Sequence, residues 1–144
     1  MENYVIHFDC SCWPNPGGIA AYGYTIDKNG AEIEAVAGLV PEADTQSSNN
    51  VAEFYALYAA VKALPPMNKG DKVNVRGDSQ IVINIMDRKW RPSQDKLYYD
   101  AYRMARRVVE MSEYDGIEFD YTWIPREDNT RCDDLSKEIN NAKR

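Results

Sequence analysis

The chain has 144 residues, of which 44% are hydrophobic and 28% charged, enough for one domain with a sizeable core but not for two. No stretch approaches the ~20 apolar residues of a membrane span, and the first residues contain no leader pattern, so we expect a cytoplasmic protein that does not bind membranes. The net charge of −6 argues weakly against nucleic acid as a partner. The charge is uneven, however, because residues 79–110 hold seven basic residues against four acids, and such a local patch is enough to engage phosphates.

Hydrophobic periodicity and turn residues predict an alternating order of strands and helices. The hairpin signal Asn29-Gly30 joins the second and third strands, and Leu64-Pro65-Pro66 ends the first helix. Hairpins followed by strand–helix–strand units predict an α/β fold with a mixed sheet, parallel where helices cross over and covered by helices on its faces. The predicted strands cover residues 4–10, 19–27, 31–40, 72–78 and 116–124, and the predicted helices cover residues 49–64, 79–86, 96–112 and 129–143.

Three carboxylates are predicted to meet at one edge of this sheet. Asp9 and Asp78 each come at the carboxyl end of a predicted strand, and a right-handed crossover through the helix over 49–64 makes these strands parallel neighbours. Glu53 is predicted in the first turn of that helix, close to the strand ends. Ligand sites in open α/β sheets form at the carboxyl ends of strands, so we expect the three carboxylates to converge there.

Converging carboxylates repel one another and need a cation to neutralise them. A set without His or Cys favours a hard divalent ion such as Mg²⁺ or Mn²⁺, and the chemistry that fits is phosphoryl transfer with two ions about 3.5–4 Å apart. Each acid also has a purely structural alternative. Asp9 could accept a turn hydrogen bond, Glu53 could complement a helix N-terminus, and Asp78 could cap the helix that follows it.

Other reactive or charged side chains are given structural roles. The three cysteines, Cys10, Cys12 and Cys132, are an odd number at spacings that match no zinc pattern, so we predict reduced thiols without a structural metal role. We interpret residues 103–107, RMARR, as the solvated face of a helix. His7 lies inside the first strand and is interpreted as a packed residue beside the site rather than a catalytic group.

Four motifs occur in order along nearly the whole chain: FDCSCWPNPGGIAAYGY, SSNNVAEFYAL, GDSQIVI and WIPREDNTRCDDLS. Together they resemble type 1 ribonuclease H, especially its compact archaeal-like and bacterial members. The resemblance implies an α/β ribonuclease H-like fold with residues 1–144 as a single catalytic domain. Its five-stranded mixed sheet would have three antiparallel strands first, then parallel ones, with helices on both faces.

The resemblance also implies four acids that are both catalytic and metal-binding. Asp133 is preferred to its neighbour Asp134 because CDDL matches the family pattern at its first Asp. The implied cofactor is two Mg²⁺ ions per active site, with Mn²⁺ as the alternative ion. The four acids are Asp9, Glu53, Asp78 and Asp133.

The activity that the resemblance implies is endonucleolytic hydrolysis of the RNA strand of RNA/DNA hybrids, which leaves 3′-hydroxyl and 5′-phosphate ends. The expected partner is therefore the hybrid, and we expect a monomer. Telling RNA from DNA requires neutral groups that read the 2′-hydroxyl in the wide, shallow minor groove. The expected substrate contacts are Cys12 through its backbone, Asn15, Ser48, Asn49, Asn50, Gln80, Trp90 and Arg126.

Departures from the better-known bacterial pattern bear on these expectations. Cys10 stands where a Gly usually follows the first Asp, and the basic handle is reduced to DRKWRPSQDK, where Trp90 and its basic neighbours are candidates for the DNA strand. The loop reads IPREDN without the family's mobile His, so Arg126 would bind a phosphate and Glu127 would shuttle a proton or pair with Arg126. Three alternatives stay open: a noncatalytic hybrid-binding module, another nuclease of the same fold, and broader specificity that includes double-stranded RNA.

Overall fold

The computed structural model describes residues 1–13, 19–41, 49–94 and 96–142. The strands are β1 (Asn3–Trp13), β2 (Ile19–Lys28), β3 (Ala31–Leu39), β4 (Lys72–Gly77) and β5 (Glu118–Trp123). The helices are α1 (Asn49–Lys62), α2 (Gln80–Met86), α3 (Tyr99–Tyr114) and α4 (Thr130–Ala142), and a 3₁₀ turn over Arg126–Asp128 precedes α4. None of the helices in the described ranges is both long and apolar enough to cross a membrane.

The five strands form one mixed sheet in the order β3-β2-β1-β4-β5. β2 pairs antiparallel with both β1 and β3, whereas β4 pairs parallel with both β1 and β5. Asn29 and Gly30 turn the chain between β2 and β3 with φ angles of 52° and 88°, the positive values that a tight hairpin turn of this kind requires. The predicted sheet, antiparallel first and then parallel, is confirmed.

One face of the sheet packs against α1, which in turn packs against α3. Tyr4, Ile6 and Phe8 alternate along β1 and are buried on this face. Phe54 of α1 is fully buried in the same core, with its ring centroid 5.4 Å from that of Tyr98 at the start of α3. This apolar layer fixes α1 against β1, and it therefore fixes the polar side chains that α1 carries near the end of the sheet.

The other face of the sheet is covered by α4, which crosses β1, β2 and β3. The approach is close at Gly23, where a Cβ would lie 2.7 Å from the Cys132 carbonyl oxygen and 2.9 Å from Leu135 Cβ. Gly23 is the register partner of Asp9, and partners in an antiparallel pair point to the same face. Asp9 therefore faces α4, and helices lie on both faces of the sheet as predicted.

β1 is longer than predicted, and this changes the position of Asp9. The strand continues to Trp13, so Asp9 is not at its end. The extra residues stay in the strand because they pair with β2 as far as Trp13 opposite Ile19. The pairing of β1 with β4, by contrast, stops at His7 opposite Arg76. Asp9 thus lies just beyond the point where β1 and β4 part.

The basic segment over residues 103–107 is only in part the solvated face that was predicted. Arg103 and Arg107 are exposed. Arg106 instead turns to α2, donating from Nη1 to the Met86 carbonyl oxygen at 3.2 Å and from Nη2 to the Ile85 carbonyl oxygen at 2.9 Å. The last carbonyls of a helix lack a partner within the helix, and Arg106 supplies donors to two of them, although the Ile85 carbonyl oxygen also accepts from the Arg88 backbone N–H at 3.0 Å. The sequence pattern does not reveal this contact.

Candidate active site

Asp9 and Glu53 form a buried carboxylate pair where β1 meets α1. The two residues are only 5% and 6% exposed. A carboxylate oxygen of each lies within 4.8 Å of the other and of Cys10 Sγ. The Cys10 backbone N–H donates to Asp9 Oδ1 at 2.8 Å, whereas no donor among the described residues reaches Glu53 Oε2. Two buried acids therefore lie side by side, and one of their oxygens lacks a partner.

The prediction put Glu53 in the first turn of α1, but the residue lies beyond that turn. The helix begins at Asn49 and has no acid in its first turn. The favourable field of a helix N-terminus falls off within that turn, so complementing the N-terminus does not account for Glu53. The burial of Glu53 needs another stabilising partner.

Burial and repulsion both disfavour the ionised forms of this pair. Burial, together with the charge of Asp78, raises the pKa of Asp9 to about 7. Burial also raises the pKa of Glu53 well above its ordinary range, and the charges of Asp9 and Asp78 add to that effect. A divalent cation here would favour both carboxylates and would give Glu53 Oε2 the partner that it lacks. The donor set therefore fits a bound divalent cation.

Asp78 directly follows β4, and its side chain does not cap α2. Ser79 is the cap, since its Oγ accepts the backbone N–H three residues along at 3.2 Å. The capping alternative for Asp78 is therefore excluded. Burial raises the pKa of Asp78, while the Asn129 amide and the charge of Arg126 oppose the shift. Because its charge also raises the pKa of Asp9, Asp78 lies close to the buried pair.

Asp133 approaches the same place from the first turn of α4. Its side chain is 13% exposed, with Oδ2 2.9 Å from Lys137 Nζ and Oδ1 4.0 Å from Arg126 Nη2. Its charge also contributes to the raised pKa values of Asp9 and Asp78. Four acids thus approach one another from β1, α1, β4 and α4, and their role as metal ligands stays a prediction.

Asn129 is a positioning residue that the sequence prediction missed. It is 2% exposed, and its Nδ2 donates to the Phe8 carbonyl oxygen at 2.9 Å. This bond ties the start of α4 to β1 next to Asp9, and it helps to set where Asp133 enters the site. Asp134, by contrast, is exposed. A single polar residue in a loop carries no signal of burial, so nothing in the sequence pointed to Asn129.

Cys10 is a second residue that the prediction left out of the site. The acidic set was taken to contain no Cys, yet Cys10 Sγ lies within 4.8 Å of oxygens of Asp9 and Glu53. That expectation was wrong because cysteine spacing rules compare cysteines with one another, whereas here one cysteine joins acids from two elements. The available signal was its place in the chain directly after Asp9.

Four of the predicted substrate contacts lie near the end of β1 and the starts of α1 and α2. Asn49 and Gln80, the first residues of α1 and α2, are exposed, Asn50 is partly buried and Cys12 is buried. The Asn49 carbonyl oxygen accepts from Cys10 Sγ at 3.3 Å. The predicted contacts Asn15 and Ser48 lie outside the described residues.

The loop between α2 and α3 presents an exposed basic cluster around Trp90. Arg88, Lys89 and Arg91 are exposed, and Trp90 is 48% exposed. Arg88 pairs with Glu113 at 3.4 Å, an exposed ion pair that contributes little to stability. An exposed indole beside cations offers stacking to a base or sugar and pairing to phosphates, so this cluster has the chemistry expected for a nucleic-acid strand.

The two residues weighed for proton transfer differ in their surroundings. His7 is half-buried, and alternation along β1 puts it on the same face as Asp9. Burial and the charge of Arg76 lower the pKa of His7, so the ring is neutral at neutral pH. Glu127 is exposed in the 3₁₀ turn, next to the exposed Arg126. The half-buried, neutral His7 agrees with a packing role.

The family model for RNase H matches residues 1–140 of the chain. Among curated proteins, the bifunctional protein Rv2228c of Mycobacterium tuberculosis is 29% identical over 132 residues, which are 90% of this chain and 32% of that protein. The chain thus spans about a third of the length of the curated relatives it matches.

Solved structures agree with the family match. RNase H1 of the halophilic archaeon Halobacterium salinarum superimposes with a TM-score of 0.80 at 27% identity, covering 97% of this chain and 98% of that one. LC11-RNase H1, isolated from compost by a metagenomic approach, gives a TM-score of 0.80 at 25% identity and covers 99% of both chains. The structure of LC11-RNase H1 in complex with an RNA/DNA hybrid gives a TM-score of 0.76 at 23% identity, which shows a likeness of fold alone. The chain therefore belongs to the RNase H family, and within it to the type 1 ribonucleases H.

Proposed function

We propose that this chain is an endoribonuclease that hydrolyses the RNA strand of RNA/DNA hybrids and leaves 3′-hydroxyl and 5′-phosphate ends. Its membership of the RNase H family supports this activity. The fold neighbour LC11-RNase H1 has been solved in complex with an RNA/DNA hybrid, which supports the same class of partner. We also propose that the chain acts as a single catalytic domain, as a monomer, in the cytoplasm.

The observation that carries the proposal is the buried Asp9–Glu53 pair with its unsatisfied oxygen. Two carboxylates at 5% and 6% exposure would be costly without a cation, and Glu53 Oε2 has no donor in the described residues. Asp78 and Asp133 lie close enough for their charges to act on Asp9. The four acids would hold two Mg²⁺ ions, with Mn²⁺ as the alternative. When bound, such ions supply the Lewis acidity that activates water and stabilises a leaving oxygen.

The surrounding residues would hold the acids in place for this chemistry. The Cys10 backbone N–H orients Asp9 through Oδ1 at 2.8 Å. Lys137 holds Asp133 through Oδ2 at 2.9 Å and limits its repulsion of the other acids. Arg126, which is exposed and lies 4.0 Å from Asp133, would bind a phosphate oxygen of the substrate as the product leaves.

Recognition of the hybrid would use neutral groups near the acids and the basic cluster around Trp90. Asn49 and Gln80 are exposed at the starts of α1 and α2, where amides can donate to and accept from a 2′-hydroxyl. Asn50, Asn15 and the backbone of Cys12 complete the proposed RNA-facing set, and Ser48 would help to hold a phosphate of the DNA strand. Trp90 and its cations would contact the DNA strand, and the contribution of these phosphate contacts should weaken with added salt.

The proposal is tested by incubating end-labelled RNA as an RNA/DNA hybrid, as duplex RNA and as a single strand, with Mg²⁺ and with chelator. Internal cuts in the hybrid that need Mg²⁺ are expected. Treatment of the products with a phosphatase and with a ligase identifies the ends. Cuts in duplex RNA at a similar rate would establish the broader specificity instead. Hybrid binding without cuts in any reaction would establish a noncatalytic binding module.

A further inference from the structure

The buried pair of acids, Asp9 and Glu53, has the Cys10 thiol beside it. We propose that Cys10 Sγ is a metal ligand, together with Asp9 and Glu53, and that it makes the site bind thiophilic divalent cations such as Zn²⁺ and Co²⁺. The inference rests on the proposed function for the location of the metal site. It goes beyond that function by adding a ligand and a class of ion that an all-carboxylate site does not favour.

The geometry of the three side chains is close to that of a ligand set. Cys10 Sγ and one oxygen each from Asp9 and Glu53 all lie within 4.8 Å of one another. Ligands on one tetrahedral Zn²⁺ ion lie roughly 3.5 Å apart, as follows from Zn–O and Zn–S bonds of about 2.0–2.3 Å. The side chains therefore need to move inwards by about an ångström or less to share an ion. Three protein ligands would leave a position for water or substrate.

An independent observation points to a cation at this place. Glu53 is 94% buried, because its exposed fraction is 6%, and its Oε2 has no hydrogen-bond partner among the described residues. The thiol itself makes weak bonds, one from Sγ to the Asn49 carbonyl oxygen at 3.3 Å and one with the Glu53 carboxylate. An arriving cation would replace these bonds, and the thiol proton would pass to solvent as the metal–sulfur bond forms.

The thiol ligand has a predictable effect on the choice of ion. Mg²⁺ prefers oxygen ligands and binds thiolates poorly, whereas Zn²⁺ and Co²⁺ accept mixed sulfur and oxygen sets and bind such sites more tightly. Zn²⁺ at Asp9 and Glu53 would occupy the carboxylates that the proposed Mg²⁺ reaction needs. Hybrid cleavage in Mg²⁺ should therefore be inhibited by low Zn²⁺ and restored by a Zn²⁺ chelator.

The test is a titration of the protein, free of nucleic acid, with Co²⁺ while the near-ultraviolet absorption of a thiolate–cobalt bond is recorded. Wild type should show this band, and Cys10→Ser should not. Loss of a hydrogen-bond partner of a metal ligand already costs about 10–100-fold in affinity, so removing a ligand should weaken Co²⁺ binding by at least about tenfold. The matched control is Cys132→Ala, which removes another buried thiol, one that packs against Thr25 Oγ1 at 4.0 Å.

Absence of the band in wild type would overturn the inference, and so would its persistence in Cys10→Ser. If circular dichroism shows that Cys10→Ser does not fold, Cys10→Ala is used for the same comparison. Hybrid cleavage is measured separately, so the two proposals fail separately. A Cys10-dependent cobalt band without hybrid cleavage would remove the proposed function and leave the thiol ligand in place. Hybrid cleavage without the cobalt band would remove the thiol ligand and leave the proposed function in place.

Discussion

At the scale of single residues, the chain buries acids at a cost in stability and concentrates them in one place. Asp9 and Glu53 are almost fully buried beside each other, and the charges of Asp78 and Asp133 reach Asp9. Carboxyl groups with strongly shifted pKa values cluster at functional sites because burial and like charge are arranged there for chemistry. The structural alternatives for Glu53 and Asp78, a helix N-terminus and a helix cap, do not account for them.

The raised pKa of Asp9 predicts how stability depends on pH in the absence of divalent ions. The pKa is about 7 in the folded protein against an ordinary value of 3.8, so between these values the folded state holds a proton that the unfolded state has lost. The free energy of unfolding should therefore fall as pH rises through this window. Urea unfolding in chelator at about pH 5 and about pH 8 measures the difference, which should be on the order of a few kcal/mol.

Two variants and the addition of Mg²⁺ test whether the pH dependence of stability comes from Asp9. Asp9→Asn should reduce the pH dependence, with the part due to the buried Glu53 remaining, whereas Asp134→Asn, which changes an exposed acid, should leave it unchanged. Mg²⁺ added at about pH 8 should raise the midpoint of unfolding, since it binds the folded state alone. A midpoint that responds to neither pH nor Mg²⁺ would contradict the account of the buried pair.

At the scale of elements, the packing of α4 on the sheet should control the position of Asp133. Gly23→Ala would place a Cβ 2.7 Å from the Cys132 carbonyl oxygen, so α4 must move away from β2. Overpacking of this kind typically costs about 1–3 kcal/mol. We expect lower stability and, because Asp133 moves with the helix, slower hybrid cleavage in the folded fraction.

The control for this prediction is Arg131→Ala, also on α4. It removes an exposed ion pair from Arg131 Nε to Glu32 Oε1 at 2.8 Å without touching the packed surface. Stability and cleavage should stay near the wild-type values. If Gly23→Ala behaves in the same way as Arg131→Ala, close docking of α4 is not what places Asp133.

The contact between α3 and α2 makes a second prediction at this scale. Arg106→Ala removes the donor of the Met86 carbonyl oxygen and one of the two donors of the Ile85 carbonyl oxygen, and it should cost about 1–3 kcal/mol. Arg107→Ala, one residue along and exposed, should stay within about 0.5 kcal/mol of wild type. Midpoints of urea unfolding compare the two variants. Equal changes in the urea midpoint for Arg106→Ala and Arg107→Ala would show that residues 103–107 affect stability only through their charge.

At the scale of the whole molecule, the order and type of the described strands and helices along the chain follow from periodicity and turn residues, whereas the five-stranded sheet was implied by the family resemblance. The element boundaries agree with the prediction to within three residues. What sequence patterns could not supply are contacts between distant segments. β1 runs on past Asp9 because β2 continues beside it, and Arg106 is drawn from solvent by the end of α2. Pattern rules describe one element at a time, so such effects appear only after the elements pack.

In the candidate site, too, some features were predictable from sequence patterns and others depend on contacts between distant segments. The approach of Asp9, Glu53 and Asp78 was predictable, because strand ends and a crossover connection determine which segments meet, whereas Asp133 was expected only from the family resemblance. Two other features were not. The burial of Asn129 depends on a bond to the Phe8 carbonyl oxygen 121 residues away in the chain, and the place of Cys10 in the acidic set depends on α1 packing beside β1.

The central claim is that the converging acids serve metal-dependent cleavage of RNA/DNA hybrids. The most direct measurement is the single-turnover cleavage rate of Asp78→Asn in Mg²⁺, with hybrid binding and circular dichroism recorded on the same protein and with Asp134→Asn as the matched control. The account predicts a rate at least about a hundredfold below wild type, more than the loss of an outer hydrogen-bond partner of a metal site would cause, with fold and hybrid binding retained. A folded Asp78→Asn that cleaves hybrids at the wild-type rate would contradict it.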